Sequence, residues 1–159
     1  NLARVLAQKL SKPTLAKPLF ESVISGRTRI YGSDHEMTLT ARRHYCSTLQ
    51  LLGEHEEARR ELASVVQAFE LLPHIGPRHM KALAARGCLA LSHEHCGDLQ
   101  LAKQVMRNVA AVESATLGAS HRYTRLAQWH VARMEKGEPL DLSTPRSRDD
   151  AWNVDYLNT

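Results

Sequence analysis

Apolar residues recur three and four positions apart along most of this chain, the period of a helix with one buried face. Leu2, Leu6 and Leu10 open the pattern. It predicts seven helices, over residues 2–10, 14–30, 35–51, 55–72, 78–95, 98–116 and 121–136, with no strand signal between them. The residues that break helices fall at the joins. Pro13 sits where a first helical turn tolerates proline, and Pro18 lies in that turn or just after it. Gly53 and Gly97 stand between paired helices, where a left-handed backbone is expected. Pro73 with His74-Ile75 ends one helix, and Gly137 with Pro139 ends the last. Asp34, Asp98 and Ser120 occupy the places of N-caps.

The helices fall into a repeat. Gly32-Ser33-Asp34-His35, Gly76-Pro77-Arg78-His79 and Gly118-Ala119-Ser120-His121 share a G-x-x-H signature at spacings of 44 and 42. Leu52-Gly53-Glu54 and Cys96-Gly97-Asp98 are again 44 apart, and Ala16, Ala58 and Ala102 follow at 42 and 44. A period in the forties built only of helices predicts stacked helical hairpins, an all-α right-handed solenoid. The repeated alanines are expected where two helices cross too closely for a larger side chain.

Two segments follow from this: a repeat array over 1–136, truncated on its N-terminal side, and an acidic tail over 137–159. Ser143-Thr144-Pro145-Arg146-Ser147-Arg148 reads as a linker. Asp149 to Leu157 is long enough for about two turns, placing Trp152, Tyr156 and Leu157 roughly on one side as contacts of a tail with three open roles: a helix capping the array, a segment binding a neighbouring subunit or partner, or a pseudo-ligand folded into its own groove.

Composition narrows the class. Of 159 residues, 43% are apolar but only 5% aromatic, so packing rests on Leu, Ala and Val. No apolar run reaches the roughly 18 residues of a membrane span. The chain opens Asn1-Leu2-Ala3-Arg4 within a helical pattern, without an initiator Met or a signal peptide, and reads as part of a longer protein. Cys46, Cys88 and Cys96 form no C-x-x-C pair, which predicts reduced thiols and a cytoplasmic setting. Residues 137–159 hold five acids against two arginines, so a body of charge +7 underlies the net +4.

The repeat resembles the long, kinesin-light-chain-like tetratricopeptide repeat (TPR). That type has a G-x-x-H opening, an N-L-A-like stretch in the first helix, a turn glycine, and E-A opening the second helix. The matching stretches are Asn1-Leu2-Ala3, His44-Tyr45-Cys46, Cys88-Leu89-Ala90 and His130-Val131-Ala132. The chain departs from the type in placing Glu36, Met80 and Arg122 after the histidines, where proline is usual, and in keeping the first-helix asparagine only at Asn1. The resemblance implies a superhelix whose first helices line a concave face, with Asn1, His44, Cys88 and His130 at equivalent points on it. It also makes the tail, with Trp152 among Asp149, Asp150 and Asp155, similar to the tryptophan-acidic peptides that such repeats bind.

The candidate chemistry is that of a binding surface. Arg42, Arg43, Arg78, Lys81, Arg86, Arg122, Arg125 and Arg133 place cations on first helices and suggest a groove for an acidic peptide. The expected partner contacts are Asn1, Arg43, His44, Arg86, Cys88, His130 and Arg133, and the bland alternative is a solvated polar face. His35, His79 and His121 each read as capping or packing at the start of their own helix, since stacked helices stand too far apart to share a metal. His93-Glu94-His95-Cys96 lacks the one-turn histidine spacing of H-E-x-x-H and reads as a solvated helix end. No nucleophile–base set or phosphate-binding glycine loop occurs, and Glu56-Glu57 suits the start of a helix. No catalytic residue, metal or cofactor is expected.

The leading function is a scaffold or adaptor module binding a protein or acidic peptide, with a place in a larger complex left open. The alternative is a regulatory TPR domain of a larger signalling enzyme, an ATPase or a SET/MYND-type methyltransferase. An RNA scaffold ranks below both, because basic residues here lack interleaved aromatics.

Overall fold

The computed structural model describes Ala3 and residues 12–140. Among these, six helices and no strand occur: α1 (Pro13–Tyr31), α2 (Glu36–Leu51), α3 (His55–Leu71), α4 (Met80–His95), α5 (Leu99–Leu117) and α6 (Arg122–Lys136). Their ends lie within two residues of the periodicity reading. The helix expected over 2–10 falls outside the described residues except for Ala3, which is helical.

The chain divides into two compact units, residues 1–77 and 78–159. In the first, α1 packs on α2 and α2 on α3; in the second, α4 packs on α5 and α5 on α6. Each is a run of helical hairpins closed by short loops.

Small residues set the closeness of these crossings. Ala16, Ala58 and Ala102 have no exposed surface, as the repeat predicted. Around them the first unit buries Phe20, Leu39, Leu49, Leu62, Val65 and Phe69, and the second buries Leu83, Met106, Val109, Leu126 and Met134.

The turns explain the repeat signatures. After α2, Gly53 N–H donates to Gln50 O at 3.1 Å and Glu54 N–H to Leu49 O at 2.9 Å. After α4, Gly97 N–H donates to Glu94 O at 3.0 Å and Asp98 N–H to His93 O at 2.8 Å. These paired bonds need a left-handed residue, and the φ angles of Gly53 and Gly97 are 81° and 89°.

The helix starts correct the sequence reading. Asp34 and Ser120 are not the caps; His35 and His121 are, and His79 caps α4 in the same way. Each ring accepts at Nδ1 from the backbone N–H two residues on: Met37 at 3.2 Å, Lys81 at 3.1 Å and Tyr123 at 3.3 Å. A neutral imidazole offers one bare ring nitrogen and so caps as a carboxylate or hydroxyl would. Asp98 does sit at the N-cap of α5, but its side chain makes no capping bond.

Candidate interaction site

The sequence-predicted contacts lie on α2, α4 and α6, the helices that begin with a capping histidine. Asn1 and the tail contacts Trp152, Tyr156 and Leu157 lie outside the described residues. On α2, Arg43 and His44 are buried, with Arg43 Nη2 at 3.4 Å from His44 Nε2. The His44 ring stacks on Phe20 of α1, with centroids 6.4 Å apart. On α4, Cys88 is buried, while Arg86 is half-exposed and donates from Nη1 to Asn108 Oδ1 of α5 at 3.3 Å. On α6, His130 is fully buried beside the Trp129 ring, and Arg133 is 3% exposed. The expectation of an open polar face therefore fits Arg86, whereas Arg43, His44, Cys88, His130 and Arg133 are enclosed. Middle helices of stacked hairpins have neighbours on several sides, and one-dimensional spacing does not report how many of those sides are covered.

Two cations that looked like groove residues, Arg42 and Arg133, brace the fold, as does Lys17. Arg42 Nε donates to Glu61 Oε1 of α3 at 2.6 Å and its Nη2 to Ser64 Oγ at 3.1 Å. Burial is the largest single influence and disfavours the Arg42 charge, but the bond to Glu61 and the attraction of that carboxylate's charge together outweigh it and hold the Arg42 pKa above the ordinary value. Arg133 spans the Glu94 carboxylate with both terminal nitrogens, at 2.6 and 2.5 Å. Lys17 of α1 pairs with Glu54 at the turn before α3, at 2.5 Å.

Spacing gave no signal for one feature of the first unit. A cleft of about 660 Å³ lies against α1, α2 and α3, lined by Glu21, Ile24, Tyr45, Glu57, Arg60 and Glu61. Tyr45 donates its hydroxyl to Glu21 Oε1 at 3.2 Å. Burial, then the bond to Glu21, hold that hydroxyl well above the ordinary tyrosine range. The lining residues come from three helices and over 30 positions of sequence, so only packing brings them together.

Among the described residues no three His, Cys, Asp or Glu side chains gather to hold a metal ion. His93 and Asp98 approach at 3.7 Å, while neighbouring Glu94 is committed to Arg133. No described helix is long and apolar enough to cross a membrane.

Comparison with solved structures matches this architecture. The chain is similar to the nearly identical TPR-like repeats of a Podosopora anserina protein assigned as a kinesin light chain, with TM-score 0.76 and 25% identity over 86% of this chain. A single-residue variant of that protein matches with TM-score 0.75 and 24% identity. This is a TPR-like helical repeat fold. The match spans 64% of the neighbour's length. No family model matches the sequence, and no curated protein does. TPR-like repeats are generally non-catalytic and generally bind proteins.

Proposed function

We propose that this chain is a scaffold or adaptor module that holds a partner protein, or an acidic peptide of one, on the concave side of its repeats. The observation that carries this reading is the TPR-like fold, regular enough that three helices start with the same histidine cap. Such arrays present extended surfaces built from equivalent positions of successive hairpins. The preference for an acidic partner rests on the charge of the body and on Arg86, which keeps solvent access on α4. Arg43, His44, Cys88, His130 and Arg133 enter as the enclosed support of that surface. The setting is cytoplasmic, as the reduced thiols Cys46, Cys88 and Cys96 suit.

The test is affinity capture on the intact chain, with each captured protein then measured by titration against the purified chain. Arg86→Glu is expected to weaken the complex at least tenfold without changing the circular dichroism spectrum, because it puts like charge against an acidic ligand. Unchanged affinity in Arg86→Glu would remove α4 from the binding surface.

A further inference from the structure

One set of contacts in the first hairpin is only half repeated in the second. At the repeat spacing of 44, Arg42, Glu61 and Ser64 correspond to Arg86, Val105 and Asn108. On α2, Arg42 reaches across to α3 with two bonds at once: Nε to Glu61 Oε1 at 2.6 Å and Nη2 to Ser64 Oγ at 3.1 Å. On α4, Arg86 reaches across to α5 and keeps the second contact, Nη1 to Asn108 Oδ1 at 3.3 Å. The first has no counterpart at Val105, whose side chain carries no acceptor.

The two hairpins also differ in charge. Residues 36–71 hold six acids against four arginines. Residues 80–117 hold three acids, Glu94, Asp98 and Glu113, against Lys81, Arg86, Lys103 and Arg107. Glu94 and Arg107 are each engaged by a residue of α6, Arg133 and Glu135, and Glu113 is fully buried. The second hairpin therefore offers solvent a cationic balance where the first offers an acidic one, and a field of that sign draws acids in.

We propose that Arg86 and Asn108 receive an aspartate or glutamate side chain of the partner protein, its carboxylate seated at Val105 as that of Glu61 is seated beside Arg42. This site belongs to the surface proposed above and rests on an acidic partner. The bond to Asn108 stays in place: Arg42 holds a neutral side chain of the next helix and a carboxylate together. Asn108, accepting at Oδ1, keeps two amide hydrogens for the incoming oxygen. Arg86 is half-exposed and Asn108 exposed, so a side chain from outside reaches both. Half-exposed Val105 packs against the methylenes that carry the carboxylate.

Two measurements on the full chain test this. Val105→Glu supplies the carboxylate from within. Against Val105→Gln, of equal size and no charge, it is expected to raise the urea midpoint, and adding Arg86→Gln to both is expected to erase the difference. Acetyl-tetraglutamate amide is then titrated in while the arginine Nε–H resonances are followed by NMR. The Arg86 resonance, identified by its loss in Arg86→Gln, is expected to shift and saturate. The peptide is expected to bind about fivefold or more weakly to Val105→Glu than to Val105→Gln, and likewise to Asn108→Asp than to the unaltered chain, a change at an exposed position. Equal midpoints for the two Val105 variants overturn the proposal. So does an Arg86 resonance that the peptide leaves unmoved, or peptide affinity equal in every variant. The midpoints involve no partner, so their failure removes this site and leaves the scaffold reading standing. A captured partner indifferent to Arg86→Glu, with the midpoints as expected, removes α4 from the binding surface instead.

Discussion

Arg133 of α6 holds Glu94 of α4 through two parallel bonds, with the guanidinium side chain 2% exposed and the carboxylate side chain 12%. Two residues 39 apart in sequence thereby join α4 and α6 through a charge pair shielded from water. The same guanidinium lies 5.8 Å from the centre of the Trp129 ring and bonds the carbonyl of Glu138, so it also fixes the turn that closes α6.

Removing one partner of an enclosed pair strands the other. Arg133→Ala is expected to destabilise the second unit by about 3 kcal/mol. Arg107→Ala is the control. Arg107 pairs with Glu135 at 2.6 Å, but both side chains are about half exposed, which limits the loss to at most about 1 kcal/mol. Urea denaturation of the two variants measures the difference, and equal midpoints would show that the Glu94 pair is not sheltered.

The alanine at the α4–α5 crossing leaves no room for growth. Ala102 is fully buried, so Ala102→Leu is expected to overpack and cost about 1–3 kcal/mol. Leu101, its neighbour in sequence, is 42% exposed, and Leu101→Ala is expected to change stability by no more than about 0.5 kcal/mol. Thermal unfolding of both variants checks which face of α5 is inside.

The histidine caps should behave as caps. His79→Ala removes the acceptor for Lys81 N–H and is expected to cost about 1 kcal/mol. His79→Asn, which restores a short side-chain acceptor, is expected to recover most of it. If Asn and Ala variants unfold at the same midpoint, the Nδ1 bond contributes nothing.

Tyr45 should be the last of the tyrosines to ionise. Its hydroxyl is pushed above the ordinary tyrosine range by burial and by Glu21. A raised folded-state pKa favours the protonated form in the fold. The stabilisation is therefore fully present below about pH 10, the unfolded tyrosine value, and is lost as pH rises beyond it. An absorbance titration at alkaline pH is expected to lose its latest component in Tyr45→Phe. Glu21→Gln should shift that component only part of the way down, since burial is the larger cause.

The repeat, the hairpin pairing and the helix ends were legible from single residues because each rests on local chemistry. A glycine that must be left-handed, an alanine at a crossing and a histidine one position before a helix leave the same mark in every unit. The caps were misassigned at Asp34 and Ser120 because aspartate and serine are the commoner acceptors. The recurrence of His35, His79 and His121 had already offered capping as one role for the histidines, and their rings are the caps.

The candidate site divides differently. Periodicity placed His44, Cys88 and His130 at matching points of successive first helices, with Arg43 and Arg133 on the same helices, and that placement follows from chain spacing alone. Their burial, the partnership of Arg42 with Glu61 and of Arg133 with Glu94, and the cleft over Tyr45 were decided by packing. The physical reason is range. Helix periodicity, turns and caps are set by residues within about five positions of one another. Enclosure and ion pairing depend on which side chains of other helices arrive at the same place, across gaps of 19 residues for Arg42–Glu61 and 39 for Glu94–Arg133.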